Sequence, residues 1–251
     1  MFTRTAMRRA LGLLLLALPP YGQAEDYTLY TTTFSRLVAP DGEGAKGLYV
    51  EIMQRVEQET GHHFRWVFQP WPRAQLSAQG DPAGLVVNLT RSPEREAKYR
   101  WVSPMGWGRY GIFTLRDQPL TADKPIGYLH GSDVLNVLQA AGYGNLTAGL
   151  SADSNARKLQ ARRIGGWAVN IWTGPTTYEE AGYDIAELRV QPIGEAWDQW
   201  IAASPQFPQP VALQIAAVLR KLKADGTLKM LEAKYWRPLP GYPTPSEARG
   251  H

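Results

Sequence analysis

The chain has 251 residues, 44% of them hydrophobic and 20% charged, a globular balance that excludes intrinsic disorder and allows one large or two ordinary domains. It contains no cysteine, which excludes disulfides, thiolate nucleophiles and cysteine-ligated metals together. The formal net charge of +4 and the pI of about 9.2 depend largely on the N-terminus.

Residues 1–24 carry a basic start (Arg4, Arg8, Arg9), an apolar core from Ala10 to Leu18, a Pro-Pro break, and small residues at Gly22 and Ala24. This is the layout of a secretory signal peptide cleaved after Ala24, and the mature chain is expected to be exported. The apolar core is far shorter than the roughly 20 residues that span a bilayer. Cleavage removes three of the 27 basic residues and leaves 24 against 23 acidic ones. A nearly neutral mature chain gives no reason to expect nucleic acid as a partner.

From Asp26 the chain alternates short strands and helices. Tyr27–Thr33 is β-branched and aromatic, as a strand requires. Gly47–Gly61 is predicted helical, with Leu48, Ile52, Met53 and Val56 on one face and Gly61 as the stop. His63–Pro70 is a second strand, Arg73–Gln79 a short helix, and Gly84–Leu89 a third strand, apolar enough to be buried on both faces. Strand, helix, strand, helix, strand is a parallel α/β pattern. Ser103–Pro119 has too many glycines and prolines for a helix and is expected as an extended connector between lobes. The same rhythm then returns between Lys124 and Trp172. Pro210–Trp236 holds two helices separated by Asp225-Gly226, and Pro238, Pro240, Pro243 and Pro245 mark a loose tail.

Catalytic and metal motifs are missing from the sequence. The histidines (His62, His63, His130, His251) have no zinc-binding spacing, and neither a G-x-S-x-G elbow nor a phosphate-binding G-x-x-x-x-G-K-[ST] loop occurs. No catalytic residue, metal or cofactor is therefore assigned. Adjacent His62 and His63 follow a helix-stopping glycine and are expected at a helix–strand turn.

Asn88–Trp101, "NLTRSPEREAKYRW", sets three arginines and a lysine directly after a buried parallel strand. Ligands of open α/β sheets bind in the crevice outside such strand ends. Thr90, the N–H groups of a tight turn and an arginine one turn later could cradle a carboxylate, since the guanidinium fork donates two parallel charge-assisted bonds. On composition alone a solvated charged loop is the stronger alternative, because most arginines and lysines are exposed.

A set of ordered elements changes that balance: Gly47-Leu48-Tyr49-Val50-Glu51, Pro70-Trp71-Pro72-Arg73, Asn88 through Arg95, Ser103-Pro104, Leu222 through Gly226, and Lys234-Tyr235. Together they resemble the periplasmic solute-binding proteins of family 3, the amino-acid-binding components of ABC importers. The resemblance implies an α/β, two-lobed Venus-flytrap fold, each lobe a mainly parallel sheet flanked by helices. Lobe 1 would comprise residues 25–115 and 192–240, lobe 2 residues 116–191, and the tail residues 241–251. It assigns the ligand's carboxylate to Arg95, supported by Thr90 and Asn88, with N–H groups donated from the second lobe at Gly131 and Ser132. Trp71 would wall the cleft, with Tyr30 and Phe34 as further stacking candidates. Glu51 is expected to steady the first helix.

The chain departs from the family where members carry two aspartates five residues apart, the second of which binds the ligand's ammonium. Gly165 and Asn170 stand there instead. An amide accepts one hydrogen bond from an ammonium but supplies no neutralising charge. Of the tryptophans Trp66, Trp71, Trp107, Trp167 and Trp172, which fall near strand ends, most are expected to pack the core. The implied protein is a monomer that binds a small carboxylate-bearing solute and docks on an inner-membrane ABC permease. The alternatives are docking on a membrane receptor, or a cyclohexadienyl-dehydratase-like enzyme on the same fold.

Overall fold

The structure is a computed structural model that describes residues 25–236. The expected signal peptide and the proline-rich tail lie outside the described residues.

The first lobe is built from β1 (Asp26–Thr31), a small hairpin of β2 (Ala39–Asp41) and β3 (Gly44–Lys46), α1 (Leu48–Thr60), β4 (His63–Phe68), α2 (Trp71–Gly80) and β5 (Gly84–Thr90). β1 pairs in parallel with β4 on one side and with β5 on the other. Two long strands, β6 (Arg100–Leu115) and β10 (Leu188–Ala203), run antiparallel to each other through the middle of the molecule. Between them come β7 (Ile126–Leu129), α3 (Val134–Ala140), β8 (Leu146–Gly149), α4 (Ala152–Gln160), β9 (Gly166–Asn170) and α5 (Thr173–Glu180). β7 is parallel to both β8 and β9. The described chain closes with α6 (Gln209–Ala224) and α7 (Thr227–Tyr235). Eight strands form one curled sheet in the order β4-β1-β5-β10-β6-β9-β7-β8.

Local chemistry explains where the helices begin and end. α1 buries Leu48, Tyr49, Ile52, Met53 and Val56 at helical spacing, and Gly61 closes it in the left-handed conformation (φ 75°). α6 buries Val211, Ile215, Val218, Leu219 and Leu222 in the same way. The Asp225-Gly226 break follows it, where Gly226 is left-handed and the Asp225 carboxylate accepts from the Thr227 N–H at 2.9 Å. α1, α6 and α7 cover one face of the first lobe's sheet, and α2 covers the other. Six of the seven residues of β5 are buried, as a parallel strand covered on both faces should be.

β5 also holds a β-bulge that matters for the site. It places two residues, Val87 and Asn88, opposite the single Ile201 of β10. The extra residue reverses side-chain parity. Leu85 and Val87 pack under α1 and α6, whereas Leu89 joins Val86 under α2.

The connector expected at Ser103–Pro119 is extended but is itself a sheet strand, β6. Pro104 is tolerated because this part of β6 pairs only with β10, and a register shift follows it between Trp200 and Gln199. Farther along, Tyr110–Phe113 also pairs with β9, so one strand serves both lobes. α5 has no apolar stripe to announce it, with Thr173, Gly174, Pro175, Thr176 and Thr177 all buried. His62 is buried at the α1–β4 turn, its Nε2 2.8 Å from Gln214 Oε1.

Candidate functional site

The cleft between the lobes contains about 650 Å³ of atom-free space, counting its open mouth. Its first wall grows out of the end of β5. The bulge holds Asn88 at φ 61°, a left-handed conformation that asparagine tolerates better than most residues. Asn88 Oδ1 accepts from the Tyr49 hydroxyl at 3.2 Å and from Gln199 Nε2 at 2.7 Å, which leaves the side-chain NH2 as the free end of a residue lining the cleft. Two residues on, Thr90 is buried with its hydroxyl 3.5 Å from that of Tyr110. Arg95 follows the turn after β5 and is half-buried. Its Nη1 donates to the Thr90 carbonyl and its Nη2 to the Gly131 carbonyl, both at 3.1 Å, so one guanidinium joins the two lobes.

The aromatic part of this wall is Trp71, the first residue of α2 and only 3% exposed, with Phe34 edge-on at 5.1 Å between ring centroids. Both line the cleft.

The second wall comes from the start of α3, the end of β9 and α5, with Trp197 of β10 beside them. Ser132 lines it, but its N–H and its hydroxyl both donate to the Leu129 carbonyl, at 3.1 and 2.6 Å. Asp133, the next residue, is the one carboxylate among the described lining residues, and Arg95 is the one cation. Asn170 is the last residue of β9 and is buried; its Oδ1 accepts the Trp172 N–H at 2.9 Å as the chain turns into α5. Its Nδ2 has no hydrogen-bond partner among the described residues, and the same holds for Thr177 Oγ1 and Trp197 Nε1.

A second bulge brings Trp197 here. Between the pairs Ile193–Tyr110 and Trp197–Gly108, β10 has three residues where β6 has only Arg109. Gly108 keeps the space open, because a Cβ at that position would stand 2.5 Å from Asn170 Nδ2 and 2.7 Å from the Trp197 ring.

Seven residues predicted for the site therefore share one cleft: Asn88, Thr90, Arg95, Trp71, Phe34, Ser132 and Asn170. Two further candidates, Tyr30 and Gly131, lie outside that lining. Tyr30 stands off the lining because its hydroxyl donates to Asp81 Oδ2 at 2.9 Å. Gly131 also stands outside the lining, and its carbonyl is shared by Arg95 and Gln75 Nε2. Its left-handed φ of 73° and the approach of Pro72, 2.9 Å from where a Cβ would lie, account for the glycine. Gly165 precedes β9, at the opposite end of that strand from Asn170.

Tyr110, Asp133, Thr177 and Trp197 line the cleft without having been assigned to it from sequence. Trp107 and Trp172 pack edge-on inside lobe 2, and Trp66 packs against the core of lobe 1. Burial pushes the Tyr110 hydroxyl up to about 12; its contact with Thr90 and the charge of Arg95 pull downward, and Asp133 pushes upward. The tyrosine is thus a neutral hydrogen-bonding group lying within the field of both charges. No group of three His, Asp or Glu side chains among the described residues could hold a metal ion.

Further bonds join the two lobes. The Ser35 hydroxyl donates to Thr176 Oγ1 at 2.9 Å in a buried contact, and Arg36 meets Glu179 at 3.1 Å and Glu180 at 3.9 Å.

Residues 32–238 match the bacterial extracellular solute-binding proteins, family 3. The chain belongs to this family. No curated protein matches the chain in sequence. Among solved structures, a histidine kinase sensor domain with similarity to periplasmic binding proteins superposes with a TM-score of 0.74 at 16% identity, covering 85% of this chain and 96% of its own. An ABC uptake transporter substrate-binding protein from Streptococcus pneumoniae with bound histidine gives 0.74 at 16% identity, over 84% and 92% of the two chains. An ancestral amino acid-binding protein, described as a precursor of cyclohexadienyl dehydratase, gives 0.69 at 15%, over 85% and 95%. At such identities the likeness establishes the periplasmic-binding-protein fold. No helix of the described residues is long and apolar enough to cross a membrane.

Proposed function

We propose that this family 3 protein works in the periplasm after cleavage of its signal peptide. There it captures a small carboxylate-bearing solute, an amino acid or related compound, and delivers it to an inner-membrane ABC importer. The observation that carries this reading is the place of Arg95, a half-buried guanidinium at a strand end that lines the cleft and reaches a carbonyl of each lobe. A guanidinium has five N–H donors, and its fork suits a carboxylate better than any other side chain does. Closure acts as a population shift: a ligand that touches both walls favours the arrangement in which Arg95, Ser35 and Arg36 bridge them. The lobes exchange chain where β6 and β10 pass between their partners, near Gly106–Tyr110 and Ile193–Trp197.

Binding rather than catalysis suits the lining, where, among the described lining residues, Asp133 is the one carboxylate and none is a histidine that could relay a proton. Incubation with prephenate should give no phenylpyruvate. The likeness to a histidine kinase sensor domain favours one second reading, in which the closed form docks on a membrane receptor; a permease gene beside this one would argue for import and a kinase gene for sensing.

The test is a thermal-shift screen of amino acids, organic acids and short peptides. At least one carboxylate should raise the midpoint of the wild-type protein, and Arg95→Ala should lose that shift. A shift of undiminished size in Arg95→Ala would remove the basis of the proposal.

A further inference from the structure

Three residues of the cleft hold a buried polar atom that meets no partner among the described residues: Asn170 Nδ2, Trp197 Nε1 and Thr177 Oγ1. Asn170 and Thr177 are each 6% exposed. Buried polar groups are nearly always satisfied, and although His62, Arg100, Asn155, Trp172 and Trp236 hold further exceptions among the described residues, these three line one cavity that a ligand can enter. Two of the three are one-sided, while the Thr177 hydroxyl can donate or accept. Trp197 can only donate, and Asn170 can only donate from Nδ2, because its Oδ1 is held by the Trp172 N–H. A cation placed against these two N–H groups would be repelled and would leave both unsatisfied, whereas an oxygen acceptor would satisfy them.

The donors are also linked to the Arg95 side. Arg95 is bonded to the carbonyl of Thr90, whose hydroxyl is 3.5 Å from that of Tyr110. Tyr110 is the register partner of Asn170 across β6 and β9, and its ring centroid is 4.9 Å from that of Trp197. Tyr110 thus links the Arg95 side of the cleft to the Asn170–Trp197 pair.

We infer that the cleft selects a carboxylate bearing an oxygen acceptor on the adjacent carbon, a 2-oxo or 2-hydroxy acid, over the corresponding 2-amino acid, and that Asn170 with Trp197 reads that oxygen. This rests on the carboxylate-binding role of Arg95 and deepens it by naming the substrate class. Asp133 is the lining residue that could house an ammonium instead, so it forms an arm of the test.

The experiment is calorimetric titration with matched pairs: pyruvate and alanine, 4-methyl-2-oxopentanoate and leucine, phenylpyruvate and phenylalanine, 2-oxoglutarate and glutamate. At least one 2-oxo member should bind the wild-type protein about tenfold or more tighter than its amino partner, the size expected when buried donors gain an acceptor rather than face a cation. Asn170→Asp should reverse that ratio, and Arg95→Ala should weaken both members. The wild-type ratio is decisive even if Asn170→Asp does not fold. A wild-type preference for the amino members that disappears in Asp133→Asn overturns the inference, because the cation site would then be Asp133. Binding of neither member of any pair, alongside a carboxylate hit elsewhere in the screen, also overturns it while leaving the broader function standing. If no carboxylate of any kind binds, the broader function itself fails.

Discussion

The Arg95 side and the Asn170 side of the cleft, which Tyr110 links, differ in how their polar groups are employed. At the Arg95 end they are engaged within the protein: two guanidinium nitrogens on the Thr90 and Gly131 carbonyls, and Asn88 Oδ1 on Tyr49 and Gln199. At the Asn170 end, two buried donors have no partner among the described residues. A frame whose groups are already positioned loses little freedom when a ligand arrives, which favours affinity. Donors left unsatisfied in a buried site carry a desolvation cost that only a matching ligand recovers, which favours discrimination. One end is therefore organised to hold and the other to choose.

Substitutions should separate these tasks. The largest effect is expected at the wall beside the holding end. Trp71→Ala removes a buried indole and should lower stability by about 3–5 kcal/mol in urea denaturation; a loss below about 1 kcal/mol would mean that the indole does not anchor α2. At the choosing end, Gly108→Ala drives a Cβ to within 2.5 Å of Asn170 Nδ2. It should lower stability by about 1–3 kcal/mol and displace both donors. Adding Asn170→Ala to Gly108→Ala should recover part of that loss; strict additivity would show that the two residues do not touch.

Smaller effects are expected away from the two ends. Arg36→Ala removes the partly exposed bridge to Glu179 between the lobes and should change stability by no more than about 1 kcal/mol, with the difference shrinking as salt is raised. The smallest effect concerns Glu51, which lies outside the cleft lining. Hydrogen bonds from Lys234 and then from Tyr235 hold its carboxyl below the ordinary carboxylate range. A depressed folded pKa contributes stability that is complete above the unfolded value, roughly pH 4.3, and is lost as pH falls through the folded value. The difference in melting temperature between wild type and Glu51→Gln should thus be flat from about pH 5 to 7 and shrink below about pH 4. A difference that grew on acidification would contradict this assignment.

The legible parts of the fold were those whose burial follows a single period. α1 and α6 show a 3.6-residue stripe, and β5 shows an unbroken apolar run because it is covered on both faces. β10 escaped because its alternation is broken by a three-residue excursion and much of it is exposed, and α5 because its buried residues are hydroxyl-bearing or small. The same split runs through the site. Asn88, Thr90 and Arg95 fall within eight consecutive residues at and just beyond the end of β5, a local pattern that a motif can record. Trp197 reaches the cleft only through a bulge in a strand far along the chain, and Tyr110 only through its place beside β9. The use of the Gly131 carbonyl was hidden for a related reason, since it depends on the approach of Arg95 from the other lobe.

The most direct measurement is a crystal structure of the protein with a carboxylate found by the thermal-shift screen. The account predicts the carboxylate on the Arg95 guanidinium, within about 3 Å of its nitrogens, with the ligand between Trp71 and the second wall. A ligand seated with its carboxylate away from Arg95, or outside the inter-lobe cleft, would contradict it.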